Sequence, residues 1–449
     1  MAGYTGREAV AEGEAFDPTP ANIDARTERF TLANGFKVAF LPKRNRGGAV
    51  TVSLGLRYGT ESALMGKATA GSMAGGMLMR GTTKHSSQEI ADELDRLKAQ
   101  GRVGGGVQSA SGSFSTIREN LPAVLRLAGE MLSSPAFDPD EFELLRQERL
   151  AAIEAQMSEP QALTFQAFQR HMSPWPKDHP LYTPTLEEQK ARLEAVTVEE
   201  ARSFWEAFYG AQGGTLAIVG DFDPAEIRPI IEEEFGSWTS REAYARIDQP
   251  YQPVEAAEVD IETPDKANAM MLAGVAFQMR DDDPDYPALL MANTMMGGGF
   301  LNSRLAERIR GEEGLSYAVQ SQLVAPPIDD TGLFLALAIF APQNADKVVA
   351  AFRDEMARAI ADGFTEEELE AAKKGYLDAA QNGRANDVAI AAALQNELFL
   401  DRTMAFTAAQ EAAIGALTVD EVNAAFRRYV DPAAFSIFRG GDFANKLVP

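Results

Sequence analysis

An internal repeat constrains this chain more than any other feature. Thr197-Val198-Glu199-Glu200 opens a stretch bearing Phe204, Trp205, Phe208 and Tyr209, followed by an apolar run from Thr215 to Val219 and by Gly220-Asp221-Phe222. Thr418-Val419-Asp420-Glu421 opens a second such stretch, with Phe426 and Tyr429, the run Ser436 to Phe438, and Gly441-Asp442-Phe443. In both, the aspartate follows the threonine by 24 residues. A threonine with glutamate three positions on is a capping box, in which hydroxyl and carboxylate each satisfy a backbone N–H at a helix start. Each copy therefore reads as a capped amphipathic helix, a strand and a turn.

A second correspondence extends the repeat. Phe137-Asp138-Pro139-Asp140-Glu141 and Phe364-Thr365-Glu366-Glu367-Glu368 each open a helical segment, and each is preceded by another, Leu121 to Leu132 and Ala345 to Ile360. Val50, Val52, Leu54, Leu56 and Tyr58 alternate with Thr51, Ser53, Gly55 and Arg57, which predicts a half-buried strand. Met270 to Phe277 and Leu333 to Phe340 predict more fully buried ones. The stretch 236–258 has no period and carries Pro250 and Pro253, as a linker would. A chain of 449 residues also exceeds what one core usually serves. The expected fold is α+β: two homologous α/β-sandwich domains, a duplicated half enclosing a cavity in clam-shell fashion. The expected boundaries are an irregular tail over 1–25, a first domain over 26–235, the linker over 236–258 and a second domain over 259–449.

Composition excludes some functions. With 42 Lys and Arg against 66 Asp and Glu, the formal charge is -24, which repels nucleic acid, whose affinity depends on phosphate neutralisation. Neutral or basic peptides meet no such penalty. There is no cysteine, so disulfides, thiolate metal sites and a cysteine nucleophile are absent. The uncharged stretch Tyr286 to Ser303 contains Pro287, Asn293, Asn302 and glycines 297–299, so no membrane span is expected. Residues 1–24 lack a basic segment followed by an apolar run, so no uncleaved signal peptide is visible.

The segment Gly55-Leu56-Arg57-Tyr58-Gly59-Thr60-Glu61 through Gly81-Thr82 resembles the opening of the pitrilysin (insulinase-like, M16) zinc metallopeptidases. In that family a helix carries His-x-x-Glu-His: two histidines bind zinc and the glutamate acts as base. Counted back from Gly81-Thr82, the motif falls on Ser72-Met73-Ala74-Gly75-Gly76, so Ser72, Gly75 and Gly76 occupy degenerate metal-site positions. The third ligand's position falls on Glu154 or Ala155. The only histidines are His85, His171 and His179, and no two share the spacing that would put them on one helix face. No metal is expected in this chain.

The second half carries Gly297-Gly298-Gly299-Phe300-Leu301-Asn302-Ser303-Arg304-Leu305 and Arg308-Ile309-Arg310-Gly311-Glu312-Glu313-Gly314-Leu315-Ser316-Tyr317. This resembles the family's C-terminal signature, whose arginine and tyrosine contact substrate and help stabilise the tetrahedral intermediate. The resemblance assigns those roles to Arg310 and Tyr317, seven residues apart, and places Gly297, Gly298 and Gly299 in the substrate-binding turn. It implies the metal-free subunit of a bacterial two-subunit M16B peptidase: inactive alone, paired with a homologous subunit that bears the zinc, and acting on peptides. The periplasm, after removal of a signal, is slightly favoured over the cytoplasm. A competing expectation is a non-catalytic scaffold or peptide-binding protein of the same fold, core-subunit-like or homodimeric, in which Arg310 pairs with a neighbouring acid and Tyr317 is a core aromatic. Gly104-Gly105-Gly106 is expected to mark a turn or bulge, and Met270, Met271, Met295 and Met296 to fill the core.

Overall fold

In a computed structural model describing residues 12–299 and 302–444, the chain forms two mixed β-sheets packed with helices. The first sheet holds β1 (Glu28–Thr31), β2 (Lys37–Pro42), β3 (Ala49–Arg57), β4 (Gln100–Gly105), β5 (Ser109–Ile117) and β6 (Thr215–Gly220) in the order β1-β2-β6-β3-β5-β4. The second holds β7 (Glu258–Glu262), β8 (Ala269–Phe277), β9 (Ser316–Val324), β10 (Gly332–Phe340) and β11 (Ser436–Gly441) in the order β7-β11-β8-β10-β9. The β2–β6 and β7–β11 pairs are parallel and all other pairs antiparallel. Apart from β1, the two sheets thus have one strand order and one set of directions. Both capping boxes form, at Thr197 with Glu200 and at Thr418 with Glu421.

The chain's compact units cut across the boundaries 26–235 and 259–449. One unit gathers the described residues up to Gln147 with Leu193–Arg246 and Ala379–Ala408; the other gathers Glu148–Arg192, Ile247–Asp378 and the residues from Ala409 on. The reason lies in the sheets. A strand buried on both faces needs cover on both, and one helix of each cover comes from the other half of the sequence. In the first unit, Ile390, Ala391, Leu394 and Leu398 of the helix Asp387–Leu400 pack on Ala39 and Leu41 of β2 and Ala217 and Val219 of β6. Asn386 caps that helix by accepting from the Val388 N–H, and Asp401 ends it in the left-handed region at φ 53°. Lys43 pairs with Asp387 at one end and Lys37 with Asp401 at the other.

In the second unit the alternation of β8 sorts its residues by face. Met270 and Leu272 meet Phe168 of the helix Pro160–Met172, together with Phe438 of β11. Met271, Ala273 and Val275 join the opposite core with Phe334, Phe340, Phe352 and Phe426. Met295 and Met296 are buried in that core as well.

The tail is a correction. Residues 1–11 lie outside the described residues, but Pro20–Arg26 is helical, with Thr19 accepting from the Asn22 N–H and a proline in the first turn. That pairing starts a helix because proline lacks the N–H that the first turn would leave unused. Between Phe235 and Glu258 the chain forms no helix or strand.

Candidate functional site

The helix Ala68–Met77 carries Ser72, Gly75 and Gly76, the positions the resemblance assigns to the zinc motif, and at Gly75 it meets β4 backbone to backbone. A Cβ on Gly75 would lie 2.1 Å from the Gly105 carbonyl oxygen and 2.3 Å from its carbon. A Cβ on Gly71 would lie 2.7 Å from the Phe204 ring, and one on Gly105 2.2 Å from the Tyr209 hydroxyl. No side chain of any kind fits at position 75 without moving a helix or a strand. The Tyr58 and Tyr209 rings stack 4.7 Å apart beside this contact, and the Tyr58 hydroxyl donates to the Gly106 carbonyl at 2.9 Å. Burial pushes both phenols well above their ordinary range, so they stay neutral. Gly104 and Gly105 lie within β4 rather than at a turn; only Gly106 begins the hairpin, its N–H donating to the Ser109 carbonyl.

Among the described residues no other set of metal ligands is assembled. Glu154 is exposed and paired with Lys190 at 2.7 Å, a hydrogen bond that holds its carboxyl below the usual range, and Ala155 offers no donor. His85 Nδ1 lies 2.8 Å from Glu130, His171 Nε2 2.9 Å from the Ser436 hydroxyl, and His179 stacks on Trp175 at 4.2 Å. Among the described residues no group of three or more His, Cys, Asp or Glu could hold a metal ion. The residues present do not fit zinc: a serine and two glycines stand where two imidazoles and a carboxylate are needed.

Arg310 and Tyr317 are placed very differently. Arg310 lies in a π-helical segment, Ala306–Glu312, and lines a surface hollow of about 570 Å³ with Asn302, Ala306, Glu307 and Gly311. Such widened turns recur at functional sites. Its guanidinium is exposed and forms no ion pair or hydrogen bond among the described residues. Three nearby acids are engaged by Arg308 instead: Glu312 at 3.3 Å, Glu313 at 2.9 Å and Asp354 at 3.2 Å. Tyr317 is the second residue of β9, with 70% of its surface exposed. Among the described residues Arg310 therefore has no acid partner, and Tyr317 is not a core aromatic.

The glycine turn splits in role. Gly297 and Gly298 close a π-helical segment, Thr294–Gly298, and the Gly299 N–H donates to the Thr294 carbonyl at 2.7 Å. Gly297 is buried, and a Cβ there would lie 2.5 Å from the Ser321 backbone nitrogen, so it serves packing; Gly298 and Gly299 are exposed. Phe300 and Leu301 of the same motif lie outside the described residues. Arg304 is structural: it grips both Glu368 oxygens, at 2.6 and 2.8 Å, and the Gly363 carbonyl at 2.8 Å. Two contributors escaped sequence reasoning. Arg308 was hidden among similar charges, and Ser316 had one signal, a break in the alternation of Leu315-Ser316-Tyr317-Ala318-Val319.

Residues 195–376 match the family model described as the peptidase M16 inactive domain. The chain is 26% identical to an uncharacterized zinc protease of Rickettsia bellii, over 66% of this chain and 69% of that one. It is also 26% identical to an uncharacterized zinc protease of Mycobacterium leprae, over 81% of this chain and 80% of that one. Among solved structures, a peptidase M16 inactive domain from Pseudomonas fluorescens superposes with a TM-score of 0.79 at 21% identity, covering 92% of this chain and 98% of that one. The chain is thus similar to M16 zinc proteases over most of its length, and residues 195–376 match that family's inactive-domain model.

Proposed function

We propose that this chain is the metal-free subunit of a two-chain M16 peptidase, supplying Arg310 and Tyr317 to peptide bound at a homologous subunit's zinc. The observation that carries this is the contrast between two places. Where the family's metal motif would lie, the helix is closed against β4 at Gly75, while Arg310 and Tyr317 face solvent with no ion-pair or side-chain hydrogen-bond partner among the described residues. An exposed, uncommitted guanidinium can donate two hydrogen bonds to a substrate carbonyl, and a phenol can donate to a developing oxyanion. The shared strand order of the two sheets supports reading the chain as a duplicated half, with 26–235 and 259–449 as its original domains.

The closed glycine contact also favours a second reading, a non-catalytic scaffold or peptide-binding protein. One experiment separates them. The purified chain, a zinc-bearing homologue and their mixture are assayed for cleavage of a fluorogenic peptide. The subunit reading expects cleavage that depends on this chain and falls on the order of 100-fold with Arg310→Ala. Cleavage by this chain alone, or a mixture indifferent to Arg310→Ala, rules it out.

A further inference from the structure

Tyr317 owes its outward direction to a fault in the β9–β10 ladder. Pairing runs residue for residue from Leu333 with Val324 to Ile339 with Ala318, and then jumps to Phe340 with Ser316. Tyr317 is the extra residue of a β-bulge, two against one. Beyond the bulge β9 alternates strictly, with Val319 and Ser321 buried and Gln320 and Gln322 exposed. Carried back without a bulge, that alternation turns Tyr317 inward and Ser316 outward, because a one-residue slip exchanges the faces of a strand. The structure has the reverse: Leu315 and Ser316 are buried, Tyr317 and Ala318 exposed.

One side chain is placed to hold this fault. The Ser316 hydroxyl oxygen lies 2.7 Å from the Ala318 carbonyl and 2.7 Å from the Ile339 carbonyl, one on each strand, and Ser316 is 8% exposed. An inserted residue disrupts the ladder locally, and a desolvated carbonyl without a donor is costly. The single hydroxyl proton, shared between the two oxygens, offsets that cost.

We infer that Ser316 is a positioning residue that locks the bulge and so aims the Tyr317 phenol outward. Its value to a reaction rests on the role proposed above for Tyr317, but its effect on Tyr317 can be read on this chain alone. The full chain is prepared with 3-fluorotyrosine at position 317 only and examined by fluorine NMR. Ser316→Ala is expected to shift, split or broaden the single resonance of the wild type, and Ser316→Thr, which keeps the hydroxyl, to restore it. Ser316→Cys keeps the side chain's size while weakening the hydrogen bonds, and covers the case in which the alanine variant does not fold. A resonance unchanged in every folded variant of these two overturns the inference. In the mixture with a zinc-bearing homologue, Ser316→Ala is expected to lower kcat by about tenfold or more with little change in KM. A moved resonance with unchanged kcat leaves the aiming intact and removes Tyr317 from the reaction.

Discussion

Replacing Gly75 by alanine adds one methyl group at the tightest contact of the helix Ala68–Met77. The new Cβ would lie 2.1 Å from the Gly105 carbonyl oxygen and 2.5 Å from the Gly105 Cα. A carbon and an oxygen rest about 3.3 Å apart, so roughly 1.2 Å must be found by moving backbone. Overpacking of this kind costs about 1–3 kcal/mol, and a collision with backbone belongs at the upper end. Alanine's higher helix propensity returns up to about 1 kcal/mol, leaving a net loss of about 2 kcal/mol. With a urea m-value of about 2 kcal/mol/M, the unfolding midpoint falls by about 1 M. Gly104→Ala is the control, because a Cβ there meets nothing within 4 Å and should stay within about 0.5 kcal/mol of the parent. Gly71→Ala should fall between, since its nearest obstacle is the tip of the Phe204 ring, which can shift. Urea titrations followed by circular dichroism on the three variants decide the matter. Equal midpoints for Gly75→Ala and Gly104→Ala refute the closed contact, and with it the argument that no side chain fits at position 75.

Other predictions follow from the same packing and electrostatics. Leu394→Ala opens a cavity between the helix Asp387–Leu400 and the first sheet, and should cost about 2–5 kcal/mol by denaturant unfolding. Burial pushes the Glu397 carboxyl up to about 7, against the pull of Arg29 3.6 Å away. The folded state then holds this proton more tightly than the unfolded chain, so its contribution is present at low pH and is lost as pH rises from about 4.5 to about 7. Glu397→Gln should flatten the stability profile in that window, and an unchanged profile counts against the burial argument. Arg308→Gln releases Glu312 and Glu313, which can then reach Arg310; cleavage by the mixture should fall several-fold while stability changes by less than about 1 kcal/mol. A fall in activity explained wholly by unfolding would contradict this.

Much of the fold was legible because its signals are local. The capping boxes at Thr197 and Thr418 and the strands at Val50 and Met270 depend on neighbours a few residues away, and all of them form. The exchange of the helices Pro160–Met172 and Asp387–Leu400 was not legible. Which sheet an apolar helix face covers depends on partners far along the chain, and nothing in Ile390 or Leu394 names Ala217. That Ser72, Gly75 and Gly76 carry no metal-ligating imidazole or carboxylate could be read directly, but the reason a glycine stands at 75 could not, since Gly105 lies 30 residues away. Arg310 and Tyr317 could be picked by motif, whereas their exposure, with no ion-pair or side-chain hydrogen-bond partner among the described residues, depends on Arg308 and on a bulge. Both devices act through contacts that a linear pattern does not carry.

The central claim is that the Tyr317 phenol works on a reaction whose metal is held by another chain. The most direct measurement is kcat for peptide cleavage by the reconstituted pair with Tyr317→Phe in this chain. Removing one hydroxyl from a side chain 70% exposed should leave folding and association unaltered while kcat falls on the order of 100-fold. A phenylalanine variant that turns over as fast as the parent contradicts the account.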